Sequence, residues 1–180
     1  MGWQEDQGRQ EKDSRQMSET YEAIVSADVR TAIEDDEELF LGLWEELITD
    51  QERLGNDILL TQRTMDFFAH MFRSYVQGII EGVVVFGAFD NAVLMWGKAG
   101  ELPWDSRLGK WANGWGTYVR PEYQKQGWSK KIREEGKRHL RLMGFETLLG
   151  GPFHKNDIGR ESWIKFGARP HQELLLVDLR

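Results

Sequence analysis

The pattern of apolar and polar positions predicts two helices near the start of the chain. Apolar side chains recur at steps of three and four residues over 35–49 and again over 65–76, which is the spacing of one helix face. Thr61 or Thr64 is a candidate N-cap for the second helix, because either hydroxyl can accept a backbone hydrogen bond there. Residues 21–27 alternate in part, and this favours an edge strand ahead of both helices.

The middle of the chain changes to a strand-like pattern. Residues 83–89 and 92–97 are apolar and rich in residues that favour strands. The dipeptide Asp90-Asn91 lies between them and predicts a hairpin closed by a two-residue turn. A further strand is predicted over 114–119, after a long stretch that is rich in glycine and charged residues.

The last third of the chain alternates between helix and strand. A basic amphipathic helix is predicted over 128–143, then a strand over 146–150, a short helix over 158–166 and a last strand near 172–179. Because one helix connects strands 114–119 and 146–150, these two are expected to be parallel. The predicted order is β-α-α-β-β-β-α-β-α-β, which indicates an α/β fold with a mixed central sheet.

Length and composition fit one globular domain. The chain has 180 residues, of which 40% are hydrophobic and 12% aromatic, and this is enough to form a core. Residues 1–19 are almost entirely polar, so we expect them to form a flexible tail that leaves 20–180 as a single domain.

Composition also excludes several kinds of site. The absence of cysteine excludes disulfides, a thiol nucleophile and Cys-ligated metals. The four histidines are scattered without ligand spacing, so no metal site is predicted. No apolar run reaches the roughly 18–20 residues that span a bilayer, and the polar first residues are not a secretory signal. A cytoplasmic protein with no membrane partner is therefore predicted.

The candidate chemistry lies where strand 114–119 passes into helix 128–143. The connecting residues 124–129 bring backbone N–H groups to a helix N-terminus, which is a favourable place for an anion. Gly127 lets a ligand approach the backbone without meeting a Cβ. Neighbouring lysines, Lys125 among them, add positive charge, so the segment fits a pyrophosphate.

These residues also carry a recognisable signature. The step Val119-Arg120-Pro121 is followed by Gln124-x-x-Gly127-x-Ser129. This resembles the acetyl-CoA signature of the GCN5-related N-acetyltransferase (GNAT) family, in which Arg/Gln-x-x-Gly-x-Gly/Ala follows a strand that ends in a similar step. The chain departs from that signature at Ser129, which is small as the position requires, and at the bulky Trp128.

A second resemblance lies downstream. Many members of the family have an Asn at the end of the next strand, then a helix that ends in Tyr-x-Lys-x-Gly-Phe. Here Asn156 is followed by Trp163, Lys165 and Gly167 at the corresponding spacing. Trp163 therefore stands where many relatives have a Tyr that protonates the leaving thiolate, and an indole N–H is not an acid of usable strength.

The resemblance implies a fold and an activity. The fold would be a GNAT-like mixed central sheet with a splayed parallel strand pair that holds acetyl-CoA. The activity would be transfer of an acyl group, most simply acetyl, to a primary amine by direct attack, with a backbone N–H near Val119 stabilising the oxyanion. The cofactor contacts that it implies are Tyr118, Val119, Gln124, Lys125, Gln126, Gly127, Trp128, Ser129, Lys130, Asn156, Trp163 and Lys165.

Catalytic groups are harder to assign from the sequence. His154 follows a predicted strand end and is a candidate general base, because its ordinary pKa is about 6.5; a solvated loop histidine is the alternative. Ser162, next to Trp163, is a candidate proton relay in place of the missing Tyr.

The acceptor is expected to be a small-molecule or peptide amine. Its candidate contacts lie in the predicted loop 98–113 and comprise two tryptophans that suit a cationic or apolar group and two carboxylates, namely Trp104, Trp111, Glu101 and Asp105. Residues 34–52 are acidic and contain no Lys or Arg, and this fits a basic acceptor as well as an ordinary solvated helix face.

Two other functions stay open at this stage. A non-catalytic relative would bind acetyl-CoA, or only keep the fold, and act as a regulatory or interaction protein. A nucleic-acid binder would use the basic helix 128–143 with tryptophans as stacking platforms, but the net charge of −7 disfavours it. The oligomeric state is also open, with a homodimer among the alternatives.

Overall fold

The computed structural model describes residues 28–98, 109–152 and 155–169. In chain order its elements are β1 (Val29–Thr31), α1 (Glu37–Arg53), α2 (Gln62–Val76), β2 (Gly82–Gly87), β3 (Ala92–Gly97), β4 (Trp111–Val119), α3 (Trp128–Leu142), β5 (Thr147–Gly150) and α4 (Asp157–Lys165). Three predictions fall outside the described residues, namely the tail 1–19, the edge strand 21–27 and the last strand 172–179. None of the described helices has the length and apolar character of a membrane span.

The strands form one sheet in the order β1-β2-β3-β4-β5. Neighbouring strands are antiparallel from β1 to β4, whereas β4 and β5 are parallel. α3 connects this parallel pair, as the crossover rule requires. The predicted α/β fold with a mixed sheet and a parallel strand pair is confirmed.

The sheet is covered on both faces, so β2 and β3 are buried along their whole length. α1 and α2 cover one face, where Phe40 stacks on both Trp44 and Phe72 with ring centroids 4.9 Å apart. α3 covers the other face and buries Ile132 and Leu140 there. The apolar spacing predicted these three amphipathic helices, and Thr61 is the residue that caps α2, through a 3.1 Å bond from the Thr64 N–H.

Two local predictions are wrong. β2 ends at Gly87, and Ala88–Asp90 form a 3-10 turn, so the hairpin connection is longer than the predicted two-residue turn. Phe89 has a left-handed backbone with φ 57°, and such a conformation cannot continue a strand. β4 begins at Trp111, inside the predicted loop, because residues 111–114 pair with β5 far along the chain.

Gly136 sets how closely α3 approaches the sheet. A Cβ at this position would lie 2.9 Å from Leu94 Cδ2 and 3.0 Å from Trp96 Cε3, closer than ordinary packing allows. The missing side chain therefore lets the helix backbone lie almost directly on β3. Gly42 in α1 is a useful contrast, since a Cβ there would meet no atom within 4 Å.

We expect Gly136→Ala to lower the free energy of unfolding by about 1–3 kcal/mol, because the added methyl group overpacks the interface between α3 and β3. Gly42→Ala should instead raise it by up to about 1 kcal/mol, because alanine is the better helix former. Urea denaturation of both variants and the unaltered chain measures the difference. Equal effects would show that α3 does not rest on Gly136.

Candidate functional site

The site is built where β4 separates from β5. The two strands pair from Trp111 opposite Thr147 to Gly114 opposite Gly150. β4 then continues through 115–119, and within the described residues this stretch has no strand on its β5 side. Backbone N–H and C=O groups on that edge are left open to pair with a ligand.

A β-bulge in β4 lies at the same point. Met95 pairs with Gly116 and Trp96 pairs with Gly114, so Trp115 is an extra residue on β4. A bulge of this kind bends its strand and increases the local twist. We attribute the separation of the two strands to this bend, because it begins directly after the last residue pair.

A loop with two left-handed residues connects the end of β4 to α3. Lys125 has φ 62° and Gly127 has φ 87°, so the chain turns sharply before the helix starts. Two side-chain amides brace the loop: Gln124 Nε2 donates to the Val119 carbonyl at 3.0 Å and Gln126 Nε2 donates to the Glu122 carbonyl at 2.9 Å.

These two side-chain hydrogen bonds use none of the backbone N–H groups of the loop. Among the described residues, no acceptor is recorded for the backbone N–H groups of 125–129. They lie at the positive end of the α3 dipole, and the side chains of Lys125 and Lys130 are exposed beside them. The loop predicted to bind an anion therefore has backbone donors without a recorded acceptor, whereas the amide groups of Gln124 and Gln126 are already hydrogen-bonded to carbonyls.

The remaining signature side chains of α3 point in different directions. Trp128 packs towards β2, where its ring lies 3.4 Å from the position of a Cβ on Gly87. The ammonium group of Lys131 lies 4.4 Å from the centroid of the Trp128 ring and 2.6 Å from Asp28. Trp128 therefore anchors the start of α3 to the sheet, and Ser129 follows it as a half-buried residue of the first turn.

An ion-pair cluster occupies the opposite face of β4. Arg120 donates to both carboxylate oxygens of Glu46, at 2.8 to 3.2 Å. The buried Tyr118 lies near the same carboxylate. Burial raises the pKa of Tyr118, and the charges of Glu46 and Asp50 raise it further, so this hydroxyl stays protonated at neutral pH. The cluster joins the end of β4 to α1.

The second signature places three residues on α4. Asn156 caps the helix, since its Oδ1 accepts the Gly159 N–H at 2.8 Å. The ring of Trp163 lies 5.8 Å from the ring of Trp96. Lys165 is exposed and lies 3.6 Å from Glu161. Asn156 is thus a helix cap, and Trp163 packs against the sheet.

Arg133 is a buried cation beside these residues. Only 5% of it is exposed, its Nη1 donates to Ser162 Oγ at 2.9 Å, and its guanidinium lies 4.6 Å from the centroid of the Trp163 ring. No ion pair to Arg133 is recorded in the described part of the chain. Burial therefore lowers the pKa of Arg133 to about 10.

Four predicted site residues lie outside the described residues, namely Glu101, Trp104, Asp105 and His154. Trp111 is described and belongs to the paired start of β4, so its predicted place in a loop is wrong. Its contact with the acceptor stays a prediction. The described residues also contain no group of three or more His, Asp or Glu that could hold a metal ion.

The structure adds polar groups that the sequence does not mark. Five buried side-chain atoms have no hydrogen-bond partner within the described residues, namely Asn91 Nδ2 and Oδ1, Trp96 Nε1, Thr117 Oγ1 and Arg133 Nε. Trp96 and Thr117 belong to strands with an apolar pattern, which predicts core positions. Only the register between β3 and β4 brings both to the region where β4 loses its partner.

Comparisons with known proteins place this geometry in a known fold. No protein-family model and no curated protein matches the chain. A mutant of the BH1408 protein from Bacillus halodurans is similar at 16% identity with a TM-score of 0.67, and the match covers 84% of this chain and 99% of that one. A GCN5-related N-acetyltransferase from Ralstonia eutropha JMP134 is similar at 14% identity with a TM-score of 0.65, over 84% and 97% of the two chains.

A third solved structure is of a protein in a complex. AAC(6')-Iy, bound to the bisubstrate analog CoA-S-monomethyl-acetylneamine, is similar at 13% identity with a TM-score of 0.64, over 85% of this chain and 97% of that one. The chain therefore has the fold of the GNAT acetyltransferases. The fold that the sequence signature implied is confirmed.

We expect Arg133→Met to keep or raise the free energy of unfolding at neutral pH, by up to about 4 kcal/mol, because it replaces a buried charge with an apolar side chain of similar length. Arg133→Ala should lower it, because the truncation leaves a cavity under Trp163. Urea denaturation of both variants tests this. If the methionine variant loses as much stability as the alanine variant, the guanidinium is well compensated where it lies.

Proposed function

We propose that the protein is an acyl-CoA-dependent N-acyltransferase that transfers acetyl from acetyl-CoA to a primary amine. One observation carries the proposal. Beyond Gly114 the edge of β4 is open, and it leads directly to a loop whose backbone N–H groups are free at the start of α3. The likeness to structures of CoA complexes supports this reading of the open edge.

The residues present fit the chemical parts of CoA. The free N–H groups of 125–129 suit a pyrophosphate, since they combine donors with the positive end of a helix dipole. Lys125 and Lys130 add charge for the phosphates, and Lys165 is exposed on α4. The unpaired edge at 115–119 offers backbone groups to the amides of pantetheine. Bound acetyl-CoA would supply an acyl group activated as a thioester.

The acceptor is proposed to approach from the face that α1 covers. This helix carries Glu38 and Glu45 on its exposed face, and Glu46 is paired with Arg120 at the end of β4. The negative charge would draw a cationic amine towards the site. The amine must lose a proton before it attacks, so a base or water must accept one. His154 stays the proposed base, and Ser162 the proposed relay, with Arg133 donating to its oxygen.

A non-catalytic acetyl-CoA-binding protein is the second candidate. Trp163 favours it, because this residue stands where many relatives have an acid and its ring packs against Trp96 and the Arg133 guanidinium. Binding would be kept in such a protein and turnover lost. An amine screen with acetyl-CoA, following the release of free thiol, separates the two candidates.

We expect Gly127→Glu to abolish measurable binding of acetyl-CoA in calorimetric titration. The variant puts a carboxylate where the pyrophosphate is proposed to lie, and such like-charge contacts cost several kcal/mol, which exceeds a factor of about ten in affinity. Gly127 has no atom within 4 Å of its added Cβ, so the larger side chain fits sterically.

Gly144→Glu is the matched control. Gly144 also has a positive φ, at 79°, and open space around its Cβ, but it lies at the opposite end of α3. Both variants therefore carry the same charge change and similar backbone strain. The control should bind acetyl-CoA as the unaltered chain does. Equal losses in the two variants, or no binding by the unaltered chain, would contradict the proposed cofactor site.

A further inference from the structure

Trp96 presents a buried hydrogen-bond donor at the point where β4 and β5 separate. The residue is fully buried, and its Nε1 has no acceptor among the described residues. A Cβ built on Gly114 would lie 3.4 Å from Trp96 Nε1 and 3.5 Å from the Leu149 carbonyl oxygen. Gly114 and Gly150 form the last pair of the two strands. The indole N–H therefore lies beside Gly114, where the open edge of β4 begins.

The missing side chain of Gly114 keeps this place open. Any larger residue would put a carbon atom in contact with the indole edge. The Cβ position of Gly114 thus lies between the N–H of Trp96 on β3 and the backbone of β5. A donor that is buried without a partner is costly, so its presence here points to a ligand atom that completes it.

The chemistry of Trp96 and its surroundings limits what that atom is. An indole N–H only donates, so its partner must be an acceptor. The Trp96 ring packs on Trp163, and the Trp163 ring in turn contacts Phe166 and the buried guanidinium of Arg133. No carboxylate is recorded in an ion pair with Arg133 in the described ranges. This positive surrounding favours an acceptor that carries negative charge.

We propose that Trp96 Nε1–H donates a hydrogen bond to the sulfur of CoA and stabilises it as a thiolate. The inference rests on the proposed acyltransferase function. A residue of β3 would then stabilise the leaving CoA thiolate, to which Trp163 cannot supply a proton. Trp96 keeps its own proton throughout, so it acts as a hydrogen-bond donor and not as an acid.

The proposed step balances without a further reagent. The amine nitrogen forms a bond to the acyl carbon, and the carbon–sulfur bond breaks with its electron pair remaining on sulfur. The proton that the amine loses passes to the base proposed above or to water. The thiolate, held by the Trp96 N–H, takes a proton from water when the product CoA leaves.

The test measures the thiol pKa of bound CoA, without any turnover. The ultraviolet absorbance of the thiolate is followed against pH for CoA bound to the unaltered chain, to Trp96→Phe and to Trp44→Phe. Trp44 is the matched control, because it is buried to the same degree under the opposite face of the sheet. Desulfo-CoA, which lacks the sulfur, reports whether each variant keeps the rest of the site.

We expect the unaltered chain and Trp44→Phe to lower the thiol pKa of bound CoA. Trp96→Phe should raise that pKa by about one unit relative to them, equivalent to a tenfold loss in thiolate binding. All three should bind desulfo-CoA with equal affinity. An unchanged thiol pKa in Trp96→Phe, with normal desulfo-CoA binding, overturns this inference alone. Failure of the unaltered chain to bind desulfo-CoA overturns the proposed function as well.

A second measurement does not depend on a variant that folds. In the unaltered chain labelled with ¹⁵N, CoA above its bound thiol pKa should move the indole N–H resonance of Trp96 downfield, because the donor then faces a charged acceptor. Desulfo-CoA should leave that resonance close to its unliganded position. The same shift with both ligands would contradict a bond between Trp96 and the sulfur.

Discussion

The loss of pairing between β4 and β5 after Gly114 is the constraint on which the candidate site depends. Parallel strands that stay paired satisfy their backbone groups with each other and leave nothing for a ligand. Here the bulge at Trp115 lies directly after the last pair of β4 with β5 and bends β4. The result is an unpaired strand edge that leads to the N–H groups before α3.

The two faces of β4 differ in charge, so the two sides of the candidate site favour ligand groups of opposite charge. On the α3 side lie the free N–H groups of the loop and the buried Arg133, which together favour an anion. On the α1 side lie the ion pair between Glu46 and Arg120 and the exposed carboxylates of Glu38 and Glu45. Under the proposed function, an anionic acyl donor and a cationic acceptor would approach β4 from opposite faces.

The buried polar atoms without a hydrogen-bond partner lower the stability of the fold. A domain of this size is stabilised by only a small net free energy, and a buried guanidinium or indole N–H without an acceptor reduces it further. Trp96, Thr117 and Arg133 would be easier to accommodate as apolar residues. Trp96 and Thr117 lie on neighbouring strands beside the open edge of β4, and Arg133 lies beneath Trp163.

Features that depend on neighbours along the chain could be predicted from the sequence. The amphipathic faces of α1, α2 and α3 follow from helical spacing, and the turn at Gly127 follows from glycine at a left-handed position. Local turn geometry let the exposed Gln124 donate to the Val119 carbonyl, which the sequence pattern does not show. Features that depend on pairing between distant segments emerge only in the folded chain. Pairing put Trp111 in a strand and brought Trp96 over Gly114, because strand register is set by hydrogen bonds between residues far apart in sequence.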